Sequence, residues 1–244
     1  MMLDELNPPP VIVEHEGIFV VRDDMIAGGS KTRFVQSLIK DSPYSEFVYG
    51  ASPATGYAQI CMGRVCKHYN KKATIFMAKR NMNNLLPYQL TAIGYGVNMQ
   101  FVANGMLSVT EKRARDYVAE DIINRKLIPI GFSCPSVIKE ISDLARSLPI
   151  IPTEVWSVGS SGTLTRGLQD AWPNAEFHCV SVGHRMGKEE LGIAKPYVCD
   201  IPFSKMVKPE DAPPFPSVPY YDAKAWKFIK QHAKPGALFW NVGA

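Results

Sequence analysis

The sequence has no apolar run near the roughly 20 residues that a membrane-spanning helix needs. Its first ten residues, MMLDELNPPP, are acidic and then proline-rich, unlike the basic-then-apolar start of a secretory leader. A soluble cytoplasmic protein with no membrane partner is expected. No Cys-x-x-Cys is present. The five cysteines (Cys61, Cys66, Cys134, Cys179, Cys199) are odd in number and scattered, which argues for reduced thiols rather than a disulfide framework. The five histidines form no ligand-spaced pair with cysteines or with each other, so no metal site is expected. Charge of one sign is also scarce: 27 basic against 23 acidic residues leave a net charge of +4. That balance permits an anionic ligand such as phosphate without demanding nucleic acid. There is no internal repeat, no Walker loop and no Gly-x-Gly-x-x-Gly fingerprint.

What is present is an ordinary globular balance, 46% hydrophobic and 20% charged over 244 residues, enough for one large domain or two small ones. Apolar β-branched runs alternate with segments of helical spacing almost throughout. Strands are read at 17–24, 46–52, 72–78, 99–104, 126–132, 153–160, 175–183 and 237–244. Helices are read at 32–40, 56–70, 85–97, 110–124, 135–148, 163–172 and 222–233. The proline-rich stretch 201–219 reads as an extended surface connection. This alternation predicts an α/β fold with two open, largely parallel twisted sheets and flanking helices. The self-contained stretch 49–125 is expected as a small inserted domain, and 1–48 with 126–244 as the large one.

Four short segments can carry chemistry. In VWSVGSSGTLTRGLQ (155–169), an apolar strand runs through Gly159, Ser160, Ser161, Gly162 and Thr163 into an amphipathic helix. Backbone N–H groups at such a helix start, with nearby hydroxyls, can cradle a phosphate; an ordinary strand–helix turn is the equal alternative. GASPATGYAQ (50–59) repeats the arrangement with Ser52, Thr55 and Gly56. GGSKTR (28–33) sets Lys31 at a helix start, where an ammonium is disfavoured. An amine that loses its charge readily can attack a carbonyl, although an isolated lysine is far more often simply solvated. In SVPYYDAKAWKF (217–228), Asp222 begins a helix and serves either as a cap or as the partner of a cation.

Taken in this order, the four segments resemble the fold-type-II pyridoxal-phosphate enzymes, the tryptophan-synthase-β-like superfamily. Within it they are most similar to the aminocyclopropane-carboxylate deaminase and D-cysteine desulfhydrase group. The resemblance spans about 17–244 and implies a compact version of that architecture. It implies pyridoxal 5'-phosphate bound as an aldimine to Lys31, with its phosphate in the 159–163 loop. It further implies Asp222 at the pyridine nitrogen, catalytic Tyr221 beside the ring and Asn241 near the cofactor. Ser52, Thr55 and Gly56 would receive the substrate carboxylate. Ala54 stands where the superfamily has asparagine, and the deaminase group's Ser-Asn-Gln run is absent.

An acid at the pyridine nitrogen makes the ring a strong electron sink. The resemblance therefore implies a lyase or deaminase acting at the α-carbon of a small amino acid or amine, through a quinonoid intermediate, in a homodimer. One alternative keeps the cofactor but places the amino acid on a modified DNA base, as in virus-type hypermodification. Another is a non-catalytic protein that binds an anionic ligand on the same scaffold.

Overall fold

A computed structural model describes residues 5–243. Met1–Asp4 and Ala244, the two ends of the expected large domain, lie outside the described residues. The elements begin with β1 (Ile12–His15), β2 (Ile18–Arg22), α1 (Ser30–Ile39), β3 (Glu46–Tyr49), α2 (Ala58–His68), β4 (Lys72–Ala78), α3 (Pro87–Gly94) and β5 (Asn98–Val102). They continue with α4 (Leu107–Ala119), β6 (Arg125–Leu127), α5 (Pro135–Arg146), β7 (Glu154–Gly159) and α6 (Thr163–Ala171). The last are β8 (Glu176–Ser181), α7 (Lys188–Leu191), β9 (Lys195–Val198), α8 (Trp226–His232) and β10 (Leu238–Asn241). The chain divides into two compact units, Met1–Ser30 with Ser133–Ala244 and Lys31–Phe132.

The first unit holds a six-stranded sheet in the order β1-β2-β10-β7-β8-β9. All its pairings are parallel except β1 with β2. Strands β10 and β7 are buried along their whole length, as parallel strands covered on both faces must be. Val20, Trp156, Val158, Val180, Phe215, Trp226 and Phe239 form one core cluster. Helices α5 and α6 approach closely at Gly167, where a Cβ would come within 2.5 Å of Ile141 Cγ2. The connection 201–219 contains only one 3-10 turn, Pro209–Asp211, and is tied down by backbone bonds such as Val218 N to Gly243 O at 2.9 Å.

The second unit holds a four-stranded, all-parallel sheet, β5-β4-β3-β6. Val48, Phe76 and Ala114 form a core cluster, bordered by Val102, Tyr117, Val118 and Leu127. The segment read as a strand over 126–132 pairs only to Leu127 and then turns into a 3-10 turn, Ile130–Phe132. Pro129 has no N–H for the ladder, and Gly131 and Phe132 take positive φ of 61° and 57°. The helix read over 222–233 likewise divides into a 3-10 turn, Asp222–Ala225, and α8.

Candidate functional site

In each sheet the strand order reverses once. In the first unit β7 leads by way of α6 outward to β8, while β10 lies on its other side. In the second unit β3 leads by way of α2 to β4, while β6 lies on its other side. The carboxyl ends of β7 and β3 are therefore topological switch points, where open α/β sheets bind ligands. Gly-Ser-Ser-Gly-Thr follows β7 and Gly-Ala-Ser-Pro-Ala-Thr-Gly follows β3, so both candidate loops occupy those places.

The loop after β7 is shaped by packing and by hydroxyls. Gly162 is the N-cap of α6 with φ 68°, a conformation that favours glycine. A Cβ there would collide with the Glu190 carbonyl, and one on Gly159 would come within 2.7 Å of Met186 Sδ and 2.8 Å of Cys179 Sγ. Ser160 and Ser161 are half-buried and Thr163 is buried. Ser161 Oγ and Thr163 Oγ1 lie 3.2 Å apart. The first N–H groups of a helix have no partner within it, so the start of α6 can offer donors beside this pair of hydroxyls.

Tyr221 reaches the same loop. Its hydroxyl lies 3.5 Å from Ser160 Oγ and 3.4 Å from the Val158 carbonyl, at the outer limit of hydrogen bonding. Burial pushes its phenol well above the ordinary value, partly offset by its contact with Ser160. Tyr221 is therefore a proton donor, not a base, at neutral pH. The next residue, Asp222, is fully buried and opens the 3-10 turn. Two residues on, buried Lys224 donates to the Pro202 carbonyl at 3.0 Å, and burial lowers its pKa.

Asn241 ends β10, but its amide is engaged locally. It donates to Asp24 Oδ1 at 2.8 Å and to the Pro216 carbonyl at 2.9 Å, and it accepts from Ser217 at 2.7 Å. The structure thus shows Asn241 clamping the 216–217 segment to Asp24.

Lys31 belongs to the second unit, as do Ser52, Thr55 and Gly56; the 159–163 loop, Tyr221, Asp222 and Asn241 belong to the first. Lys31 is half-buried, and its charge acts on the thiol of Cys61 in α2. Burial nevertheless pushes that thiol up to about 12. Gly28 and Gly29 take φ of 87° and 68°, which explains why two glycines precede the helix. Through them Ser30 N reaches the Val242 carbonyl at 2.8 Å. Ser52 is buried, and Gly56 closes a turn onto the Pro53 carbonyl at 2.8 Å.

Two contributors escape a reading of the sequence. Asp23, fully buried, accepts from Ser30 Oγ at 2.7 Å and Trp240 Nε1 at 3.0 Å. Gln59, also fully buried, donates from Nε2 to the carbonyls of Ala54 at 2.9 Å and Gly56 at 3.0 Å. Gln59 follows the loop within the quoted segment 50–59, and that adjacency was the only available signal.

The donors present fit pyridoxal phosphate. Helix N–H groups and hydroxyls at 160–163 suit a phosphate, and a fully buried carboxylate in the same unit suits a pyridinium. The glycines of this loop, by contrast, are accounted for by the packing of Met186, Cys179 and Glu190.

No protein-family model and no curated protein matches the sequence. Solved structures do match. An ACC deaminase homologue aligns over 99% of this chain and 91% of its own, with TM-score 0.78 and 14% identity. Threonine deaminase isoform 2 from Solanum lycopersicum aligns over 93% of this chain and 75% of its own, with TM-score 0.64 and 13% identity. An L-serine ammonia-lyase from Rhizomucor miehei aligns over 98% and 77%, with TM-score 0.62 and 12% identity. The chain therefore has the fold of the fold-type-II pyridoxal-phosphate enzymes.

Proposed function

We propose that the protein is a pyridoxal-phosphate-dependent lyase or deaminase acting at the α-carbon of a small amino acid. The observation that carries this reading is the place of the two loops. Ser-Ser-Gly-Thr and Ser-Pro-Ala-Thr-Gly each follow the strand at which their sheet reverses order. The names of the structural neighbours, deaminases and ammonia-lyases, support the reaction class.

The cofactor would supply an electron sink for negative charge at the substrate's α-carbon. Lys31 would hold it covalently through Nζ and, once released, move the α-proton. Ser160, Ser161, Thr163 and the start of α6 would bind its phosphate. Asp222 would keep the pyridine nitrogen protonated, since a carboxylate favours a neighbouring cation most where water is excluded. Tyr221 would hold a proton at its hydroxyl beside Ser160. Ser52, Thr55 and Gly56 would orient the substrate carboxylate, with Gln59 fixing the carbonyls of their loop.

The test is an absorbance titration of the purified protein with pyridoxal phosphate. The expected outcome is a lysine-bound chromophore in the wild type and none in Lys31→Ala. A Lys31→Ala protein that forms the same chromophore overturns the assignment. Turnover of free amino acids against a DNA-linked amine then decides the substrate, and sedimentation decides whether the enzyme is a homodimer.

A further inference from the structure

We propose that Glu154, Glu176 and His178 form a binding site for a divalent transition-metal ion of the zinc type. The site lies at the opposite end of the first unit's sheet from the 159–163 loop. Glu154 begins β7 and Glu176 begins β8, and the parallel register sets them side by side. His178 lies two residues along β8, on the same face as Glu176. One donor atom from each of the three lies within 4.8 Å of the other two. His178 Nε2 is 3.3 Å from Glu176 Oε1 and 4.0 Å from Glu154 Oε1. A tetrahedral zinc ion, with bonds near 2.0–2.1 Å, needs donors roughly 3.3 Å apart. His178 and Glu176 already stand at that spacing, and Glu154 Oε1, at 4.0 Å from His178, must close in to complete it.

The second observation is an unanswered ligand atom. His178 is 4% exposed, and neither ring nitrogen makes a hydrogen bond among the described residues. Nε2 nonetheless lies within 4.0 Å of an oxygen of each carboxylate. Glu154 Oε2 is also buried without a hydrogen bond; its nearest cation is Lys234 Nζ at 3.6 Å. Buried polar atoms normally find partners, and a metal ion would satisfy His178 Nε2 and a Glu154 carboxylate oxygen together. Stacking on Trp156, with ring centroids 4.3 Å apart and planes 7° off parallel, holds the imidazole in place.

Lys234 now bridges the two carboxylates, at 2.6 Å from Glu176 and 3.6 Å from Glu154. Its side chain is 68% exposed, and exposed ion pairs are weak. A dication would replace one positive charge by two and neutralise both carboxylates. Lys195, paired with His178 in the register of β9, adds a positive charge that limits affinity. The length of β7 sets the site about 16 Å from the glycine-rich loop, so the ion would clasp the starts of β7 and β8 and take no part in chemistry at that loop. This inference does not depend on the proposed cofactor.

The test is calorimetric titration of the full chain with Zn²⁺, with Mg²⁺ as control. The expected result is one Zn²⁺ per chain, weakened roughly tenfold or more in Glu176→Gln and tightened roughly tenfold in Lys234→Ala. Co²⁺ should quench tryptophan fluorescence through the imidazole stacked on Trp156, and less so in Glu176→Gln. Both substitutions are at exposed side chains, so folding is retained. Absence of Zn²⁺ uptake by the wild type overturns the proposal. So does uptake that is unchanged in Glu176→Gln, which would place the ion elsewhere, such as on the half-buried thiols of Cys134 and Cys199.

Discussion

Ser30, the residue before Lys31, donates its hydroxyl to Asp23 Oδ2 at 2.7 Å. The Trp240 indole N–H reaches the same carboxylate at 3.0 Å and the Ser30 hydroxyl at 3.2 Å. Ser30 is thereby joined to Trp240 of β10 through a buried acid. Ser30→Ala removes one donor to that acid and should destabilise the protein by about 1–2 kcal/mol, read from urea denaturation. A loss below a few tenths of a kcal/mol means that the Ser30 hydroxyl does not stabilise the Asp23–Trp240 contact.

Asp222 separates a cofactor-tuning acid from a mere cap. In Asp222→Asn the shape is kept and the charge is lost. Turnover should fall about 100-fold or more, while the Lys31-bound chromophore still forms. Tyr221→Phe, which removes only the hydroxyl near Ser160, should lower kcat without preventing cofactor binding. Wild-type turnover in Asp222→Asn would falsify its role at the pyridine nitrogen.

Gln59 braces the loop that carries Ser52, Thr55 and Gly56. Gln59→Leu leaves the carbonyls of Ala54 and Gly56 without its N–H donors, at a cost of about 1–3 kcal/mol. Under the proposed function KM for the amino acid should rise more than kcat falls. Steady-state kinetics and urea denaturation on the same sample check both effects.

Gly162 has little room for change. Its φ of 68° disfavours any L side chain, and the Glu190 carbonyl occupies the space of a Cβ. Gly162→Ala should cost about 2 kcal/mol or more and weaken phosphate binding. A stability equal to the wild type in thermal melts is the outcome that rejects this packing.

The buried thiols predict an alkaline limit. Burial pushes Cys61 and Cys66 up to about 12 from an ordinary 9. The folded state therefore holds protons that the unfolded state releases. Their contribution is fully present below pH 9 and is lost as pH rises from 9 towards 12. Replacing both by alanine should flatten that part of a stability–pH curve. At pH 8 a thiol reagent should label Cys134 and Cys199 but spare Cys61 and Cys66 until denaturant is added.

Local features were readable because their causes are local. The strand Lys72–Ala78 and the helix beginning at Thr163 follow from side-chain period and from the loop chemistry beside them. Strand 126–132 was overestimated because apolar residues alone do not register the missing N–H of Pro129 or the positive φ of Gly131. The resemblance of the 239–244 segment to the end of the family's last strand implies Asn241 near a cofactor. Its bonds to Asp24, Pro216 and Ser217 depend on residues distant in the chain.

By itself the sequence determined the alternation of strands and helices, and the small-residue loops after β3 and β7. It also determined the double glycine before Lys31, required by two consecutive positive φ angles. Strand order, and hence the placement of those loops at the reversals of their sheets, was decided only by the tertiary structure. The same holds for the joining of Asp23 to Trp240, 217 residues apart, and for the meeting of Glu154 with Glu176 and His178. Parallel pairing unites residues from successive crossovers, and no local pattern of residue types encodes which strand will lie beside which.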